Sequence, residues 1–253
     1  MNKFLKIILI SFFAVFLCAG SSMALQFSNT RPVAPANDEL QDYLDSITDS
    51  GPGIDAVNDQ IDAAYFSGQS SGGAVATFMV ENAGWAGSSL FGIYSLDDPT
   101  NKALIFDGPD TAGAQKLVSF LANGDIQVNG ATVATGFSDL FGFYLDVYQN
   151  QATLQYTVFS DDSLNSGRAQ ALIIQGKNDT TIHIDPFGAG VFAPDEFIVA
   201  WEDQRTGDAD YNDGVFMIES VTPAAVPEPA TMMLLGSGLL GLAAAGRRKF
   251  FKK

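Results

Sequence analysis

The run Lys116-Leu117-Val118-Ser119-Phe120-Leu121-Ala122-Asn123-Gly124-Asp125-Ile126-Gln127-Val128-Asn129-Gly130-Ala131-Thr132-Val133-Ala134-Thr135 decides the fold. Two Asn-Gly pairs sit six residues apart. Asn-Gly is a strong tight-turn signal because both residues accept the positive φ that a hairpin turn demands. Between them Ile126 and Val128 alternate with polar neighbours, as in a half-buried strand. The segment therefore predicts consecutive hairpins.

Outward from it the same texture recurs. Short apolar runs appear at Ala74–Val80, Leu90–Leu96, Ala103–Phe106, Leu140–Tyr148, Thr153–Phe159, Ala169–Gln175, Thr181–Ile184, Glu196–Trp201 and Val215–Ser220. About a dozen strands with glycine-rich turns and no intervening helices predict an antiparallel β-sandwich or jelly roll over residues 73–222. Upstream, residues 25–72 read as an extended lead-in with short helices. Leu40, Tyr43, Leu44 and Ile47 keep a helical period, with Asp38 as cap and Gln41 three residues on. Gly51-Pro52-Gly53 ends that helix. Ile54, Val57, Ile61 and Tyr65 permit a second. The fold class expected is mostly β with a short helical N-terminal cap.

Charge divides the chain. Residues 25–226 hold 28 acids and six bases, a net −22, while both ends are basic and apolar. A surface so negative repels phosphate backbones, which excludes nucleic acid as a partner. The one cysteine, Cys18, lies outside this middle, and His183 is the one histidine. Disulfide frameworks, zinc sites and haem ligation are thereby disfavoured. His183 alternates with Ile182 and Ile184 and reads as a surface residue. No serine stands in a nucleophile-elbow sequence, so catalysis is not expected.

The acids concentrate between two apolar runs. Glu202, Asp203, Asp208, Asp210 and Asp213 place five carboxylates within twelve residues, with Asn212 among them and Arg205 the only cation. Two carboxylates about 5 Å apart repel by about 3 kcal/mol at an effective dielectric of about 20. Such a loop must splay into solvent, take up protons or share a cation. All-oxygen ligands favour calcium, so Glu202, Asp203, Asp208, Asp210, Asn212 and Asp213 are the candidate ligands. A solvated acidic turn is the alternative. Asp208, Asp210, Asn212 and Glu219 nearly fit an EF-hand, but Asp213 stands where that loop needs glycine, and the flanks alternate as strands. One more reading gives Glu202 a role in a polysaccharide-active enzyme, which would need a second carboxylate across a cleft.

The ends read as addresses. Residues 1–24 have basic Lys3 and Lys6, an apolar core and a Ser22-Met23-Ala24 cleavage pattern, which together predict a secretory signal peptide. Residues 223–229 are a Pro-rich linker. Residues 230–246 carry no charge and predict a short transmembrane helix. Residues 247–253 form a basic tail, in which Arg247, Arg248 and Lys249 hold the cytoplasmic side.

The order Val226-Pro227-Glu228-Pro229, apolar span, basic cluster resembles the PEP-CTERM sorting signal of Gram-negative bacteria. That resemblance implies recognition by an exosortase, a membrane transpeptidase. It implies an inner-membrane precursor that later reaches the outer surface or extracellular matrix. The run Ala200-Trp201-Glu202-Asp203 … Asp208-Ala209-Asp210-Tyr211-Asn212-Asp213 is similar to an uncharacterised domain of bacterial surface proteins and adhesins. Phe141-Gly142-Phe143-Tyr144-Leu145 and Ser160-Asp161-Asp162-Ser163-Leu164-Asn165 are similar to proteins that carry it. This second resemblance implies a calcium-associated β-sandwich at the cell surface without known catalysis. The terminal signals and the acidic hairpin together point to a role in matrix, biofilm or adhesion. Many members have an acidic–His pair where this chain has Ala169-Gln170, so a polar site there would be reduced. Exopolysaccharide is the alternative partner.

Overall fold

The computed structural model describes residues 31–68, 73–80, 89–149 and 153–224. The expected signal peptide, sorting motif, membrane helix and basic tail lie outside these residues. The chain runs through α1 (Glu39–Ser46), β1 (Thr48–Ser50), β2 (Phe66–Gly68), β3 (Gly73–Val80), β4 (Leu90–Ser95), β5 (Asp98–Phe106), β6 (Gln115–Phe120), β7 (Ile126–Val128) and β8 (Ala131–Ala134). It continues through β9 (Phe141–Gln149), β10 (Thr153–Phe159), a 3-10 turn (Asp162–Asn165), β11 (Ala171–Gln175), β12 (Thr181–Ile182), β13 (Gly190–Val191), β14 (Glu196–Trp201), β15 (Gly214–Glu219) and β16 (Val221–Pro223).

All strand pairings are antiparallel. One sheet has the order β11-β14-β15-β3-β6-β7-β8, and a second has β16-β2-β9-β4-β5 with β10 on β9. A small third sheet joins β1, β12 and β13. The structure is mostly β and sandwich-like, with one short α-helix among the described residues. The hairpin signal holds where it was read: β6 pairs with β7 and β7 with β8. The turn between the latter pair places Asn129 and Gly130 at φ 50° and 81°, the left-handed pair that a two-residue hairpin turn requires.

Two cores result. Between the large sheets lie Phe66, Phe91, Phe141 and Phe143 from one side and Phe197, Trp201 and Phe216 from the other. Phe91 stacks on Phe216 across the interface at 4.1 Å between ring centres. Phe66 meets Phe197 edge-on at 5.1 Å. The second core lies on the outer face of the seven-stranded sheet. There Leu172, Ile174, Ile198, Ala200, Val215 and Met217 pack with Leu40, Leu44 and Ile47 from α1 and its end. So β11, β14 and β15 are covered on both faces. That is why their sequences are continuously apolar rather than alternating.

The lead-in differs from expectation in two ways. Asp38 makes no side-chain cap; Asn37 Oδ1 instead accepts the Glu39 N–H at 2.9 Å. Gln41 turns away from the helix start to bond Asp45 and the Ile54 carbonyl. No second helix forms over 54–65. Asp55 holds one turn by accepting from the Val57 and Asn58 N–H groups. Gln60 then bridges Ile174, and the Ile61 N–H donates to the Ile173 carbonyl. The edge of β11 offers these residues better partners than a further helical turn would. Among the described residues, no helix is long and apolar enough to cross a membrane.

Candidate functional site

The site sits on the β14–β15 connection. Trp201 ends β14 opposite Gly214, which begins β15. The twelve residues between are held tightly. The Asp213 N–H donates to the Trp201 carbonyl at 3.2 Å, and the Glu202 N–H donates to the Gln170 carbonyl at 2.9 Å. Gln170 answers from its side chain: Nε2 donates to the Glu202 and Gln204 carbonyls at 2.8 and 3.1 Å. This buried amide fixes the loop backbone.

The return limb is bent by Ala209 and Tyr211, at φ 59° and 58°, a left-handed conformation uncommon for side-chain-bearing residues. Neighbouring segments hold that bend. The Ala36 N–H donates to the Ala209 carbonyl at 2.8 Å, and the Tyr211 hydroxyl donates to the Ala169 carbonyl at 3.1 Å. Asn212 Nδ2 donates to Glu39 on α1 and, at 3.1 Å, to Asp210 Oδ2. The lead-in and helix thus buttress the loop.

The bends turn carboxylates inward. Glu202, Asp210 and Asp213 are 3%, 6% and 8% exposed. Each offers an oxygen such that the three lie within 4.8 Å of one another. Two oxygens on opposite sides of one calcium ion, each at about 2.4 Å, are about 4.8 Å apart, so the trio has the span of a shared ion. Backbone donors hold two of them. Asp213 Oδ2 accepts the Asp203 N–H at 2.8 Å, and Glu202 Oε1 accepts the Gln204 N–H at 3.0 Å. Glu202 Oε2 is buried and has no partner. A β-carbon at Gly207 would lie 2.1 Å from Glu202 Oε1, so a larger residue there would force that carboxylate to shift.

Electrostatics register the crowding. Burial, and then repulsion from Asp213, push the Glu202 carboxyl up to about 7 against backbone donation from Gln204 and Ala209. Burial also raises Asp213, with Asp210 and Asp208 adding repulsion and the Asp203 N–H opposing it. No lysine or arginine is among the main causes of either shift.

Of the six residues singled out as ligands, three converge. Asp203 is buried beside them and holds the loop through its N–H. Asn212 is buried with its amide nitrogen engaged. Asp208 is exposed and stands apart from the trio. Glu219 lies at the far end of β15 opposite Glu196, so an EF-hand arrangement is absent. Sequence reading did not single out Glu39, Gln170 or Gly207 as parts of this site. Only Gln170 carried a signal, as the place where the pattern departs from its look-alikes. His183 is exposed, with Nε2 3.4 Å from the exposed Asp185 carboxylate.

A family model for the PEP-CTERM protein-sorting motif matches residues 225–249. This chain carries a PEP-CTERM sorting motif. The motif implies an exosortase-sorted surface protein, made as an exported, membrane-anchored precursor in a Gram-negative bacterium. No curated protein matches the chain. Among solved structures it is similar to the Chromobacterium violaceum lectin CV2L, crystallised with α-methyl-fucoside. Identity is 13%, with 65% of this chain and 100% of that one covered and a TM-score of 0.28. It is also similar to the C-terminal domain of the BC2L-C lectin from Burkholderia cenocepacia. There identity is 14%, coverage 64% and 97%, and the TM-score 0.27. Likeness at that level says nothing about what the PEP-CTERM chain binds.

Proposed function

We propose that this is a non-enzymatic protein of the cell surface or extracellular matrix, acting in adhesion or biofilm, whose β14–β15 loop is stabilised by calcium. One observation carries the calcium reading: Glu202, Asp210 and Asp213 are buried together within 4.8 Å, and Glu202 Oε2 lacks any partner. Burying a carboxylate without a counter-charge is costly, and a buried acceptor without a donor costs roughly 1–3 kcal/mol more. A hard divalent cation removes both costs and tolerates the irregular geometry of a loop. Asn212 and Asp203 stand close enough in the chain to complete the ligand set.

The non-catalytic reading has its own support. Glycoside hydrolysis uses two carboxyls flanking the scissile bond. A cavity adjoins Glu202, yet Glu202 alone of the trio lines it. Asp210 and Asp213 are buried and do not line it. A second reading, exopolysaccharide binding, is favoured by that same cavity.

The test is a calcium titration of the full chain by calorimetry. We expect saturable uptake that disappears in the Asp210→Asn/Asp213→Asn double variant. No uptake at millimolar calcium overturns the reading. For sorting, deletion of residues 227–253 should leave the protein exported but misplaced; unchanged fractionation would contradict it.

A further inference from the structure

The domain has few cations, and most are spent. Of the six bases in residues 25–226, Arg31 pairs with Asp162, Lys102 with Asp146, Lys116 with Asp110 and Lys177 with Asp59. Arg168 and Arg205 make no ion pair among the described residues. Both are exposed, and both line the cavity of about 290 Å³ beside Glu202, with Gln170, Gln204 and Tyr211. Arg205 is also held in place. Its guanidinium lies 4.9 Å from the centre of the Tyr156 ring and donates to the Thr157 carbonyl at 3.4 Å.

Two unneutralised guanidiniums at one cavity, in a domain of net −22, are placed against the general charge pattern. They offer an incoming anion a local counter-charge beside the acids of the loop. Guanidinium groups match carboxylates with paired donors. The rest of the wall is mixed, with Gln170, Glu202 and Gln204 among Val33, Ala169 and Ala209. The exposed Gln204 side chain offers an oxygen that accepts from hydroxyls, which suits a ligand with hydroxyls beside its negative charge. A simple fatty or aromatic acid would leave it unmet. Among the described residues, the large exposed apolar side chains are all aliphatic. At the cavity itself Tyr211 is buried and the half-exposed Tyr156 ring lies under the Arg205 guanidinium, so charge selects the ligand.

We propose that this cavity binds a carboxylate-bearing saccharide, a uronate residue within an acidic polysaccharide, through Arg168 and Arg205. The proposal rests on the exported-surface reading and names its partner class. It does not require calcium.

Calorimetry of the full chain in detergent micelles with trigalacturonate tests it, with the methyl-esterified trimer as control, each in calcium and in chelator. The acid should bind and the ester should not. Affinity should fall as salt rises, and Arg168→Gln and Arg205→Gln should each weaken it by roughly 10-fold. Both positions are exposed, and an unchanged unfolding midpoint shows that the variants fold. Three results overturn the proposal: no binding of the acid, equal binding of the ester, or undiminished binding by the double variant. Equal affinity for an aspartate tripeptide would also overturn it, by reducing the cavity to an unselective anion site. Binding in chelator without calcium uptake would retain this proposal while removing the calcium reading. Calcium uptake without uronate binding would do the reverse.

Discussion

Asp162 and Glu202 are both buried carboxylates, at 0% and 3% exposure, and the chain treats them differently. Asp162 has a cation. Arg31 reaches from the lead-in to place Nη2 3.2 Å from Asp162 Oδ1 and 3.1 Å from the Ala171 carbonyl. Its neighbour Asp161 accepts from the Tyr65 hydroxyl at 2.6 Å and the Ser163 N–H at 2.8 Å. Glu202 has no ion pair: its carboxylate accepts from backbone N–H groups and faces other acids, and Arg168 and Arg205 share only the cavity beside it. A domain with six bases spends one on Asp162 across 131 positions of sequence, yet ion-pairs none with the three buried acids of the β14–β15 loop, although Arg205 stands on that loop. The contrast teaches that burial alone is tolerated where the chain supplies the opposite charge. Where it supplies none, the charge must come from protons or from an external ion.

The contrast breaks most severely at Arg31. Arg31→Met leaves Asp162 buried without its counter-ion, and breaking a buried pair from one side costs roughly 3–5 kcal/mol. Urea unfolding should show that loss, and Arg31→Met/Asp162→Asn should recover part of it. A loss below about 1 kcal/mol would mean the pair does little, and the comparison would collapse.

The second-largest effect belongs to the loop. Calcium at ten times its dissociation constant should stabilise the domain by about 1.4 kcal/mol, read as a raised Tm. Asp210→Asn/Asp213→Asn should abolish this gain. The same variant should be more stable than the parent in chelator, because it relieves repulsion. If the variant responds to calcium like the parent, the trio is not the binding set.

Why the trio could not be read directly is a matter of direction. The count of acids between Trp201 and Gly214 was plain from sequence, as were the flanking strands, because period-2 alternation and continuous apolar runs are local signals. Which acids converge depends on Ala209 and Tyr211 turning left-handed, and neither residue type announces that. Asn212 is tied to Glu39 across 173 positions and Glu202 to Gln170 across 32. Pairings so distant follow from the assembled sheets, not from any motif. The same holds for Gln60 and Ile61, whose helical spacing yields to the open edge of β11. The short strands β1, β2, β13 and β16 hold two or three residues each, too few to show a period.

Acidity probes the contrast more gently. Glu202 titrates at about 7 in the folded state against an ordinary 4.5. The folded protein therefore holds a proton that the unfolded chain releases. In chelator this contributes stability fully present below about 4.5 and lost as pH rises toward 7. Calcium requires the ionised carboxyls, so its stabilising increment should grow over the same interval. Unfolding curves with and without calcium between pH 5 and 8, roughly the window set by these two values, should diverge as pH rises. Parallel curves would place the cation away from Glu202.

Asp208 gives the smallest expected effect and the sharpest discrimination. By sequence it ranks equally with Asp210 and Asp213, being one of five acids on the same loop. In the structure it is exposed and outside the 4.8 Å group, though its charge still adds to the repulsion at Glu202 and Asp213. An exposed charge acting at a distance is screened by solvent and salt. Asp208→Asn should therefore change stability by less than about 0.5 kcal/mol and weaken calcium only a few-fold, an effect that fades as salt is raised. Asp213→Asn should lose calcium binding at every salt concentration. If Asp208→Asn instead matches Asp213→Asn, the ion is held by the outer limb of the loop, and the buried trio is a protonated core with no metal of its own.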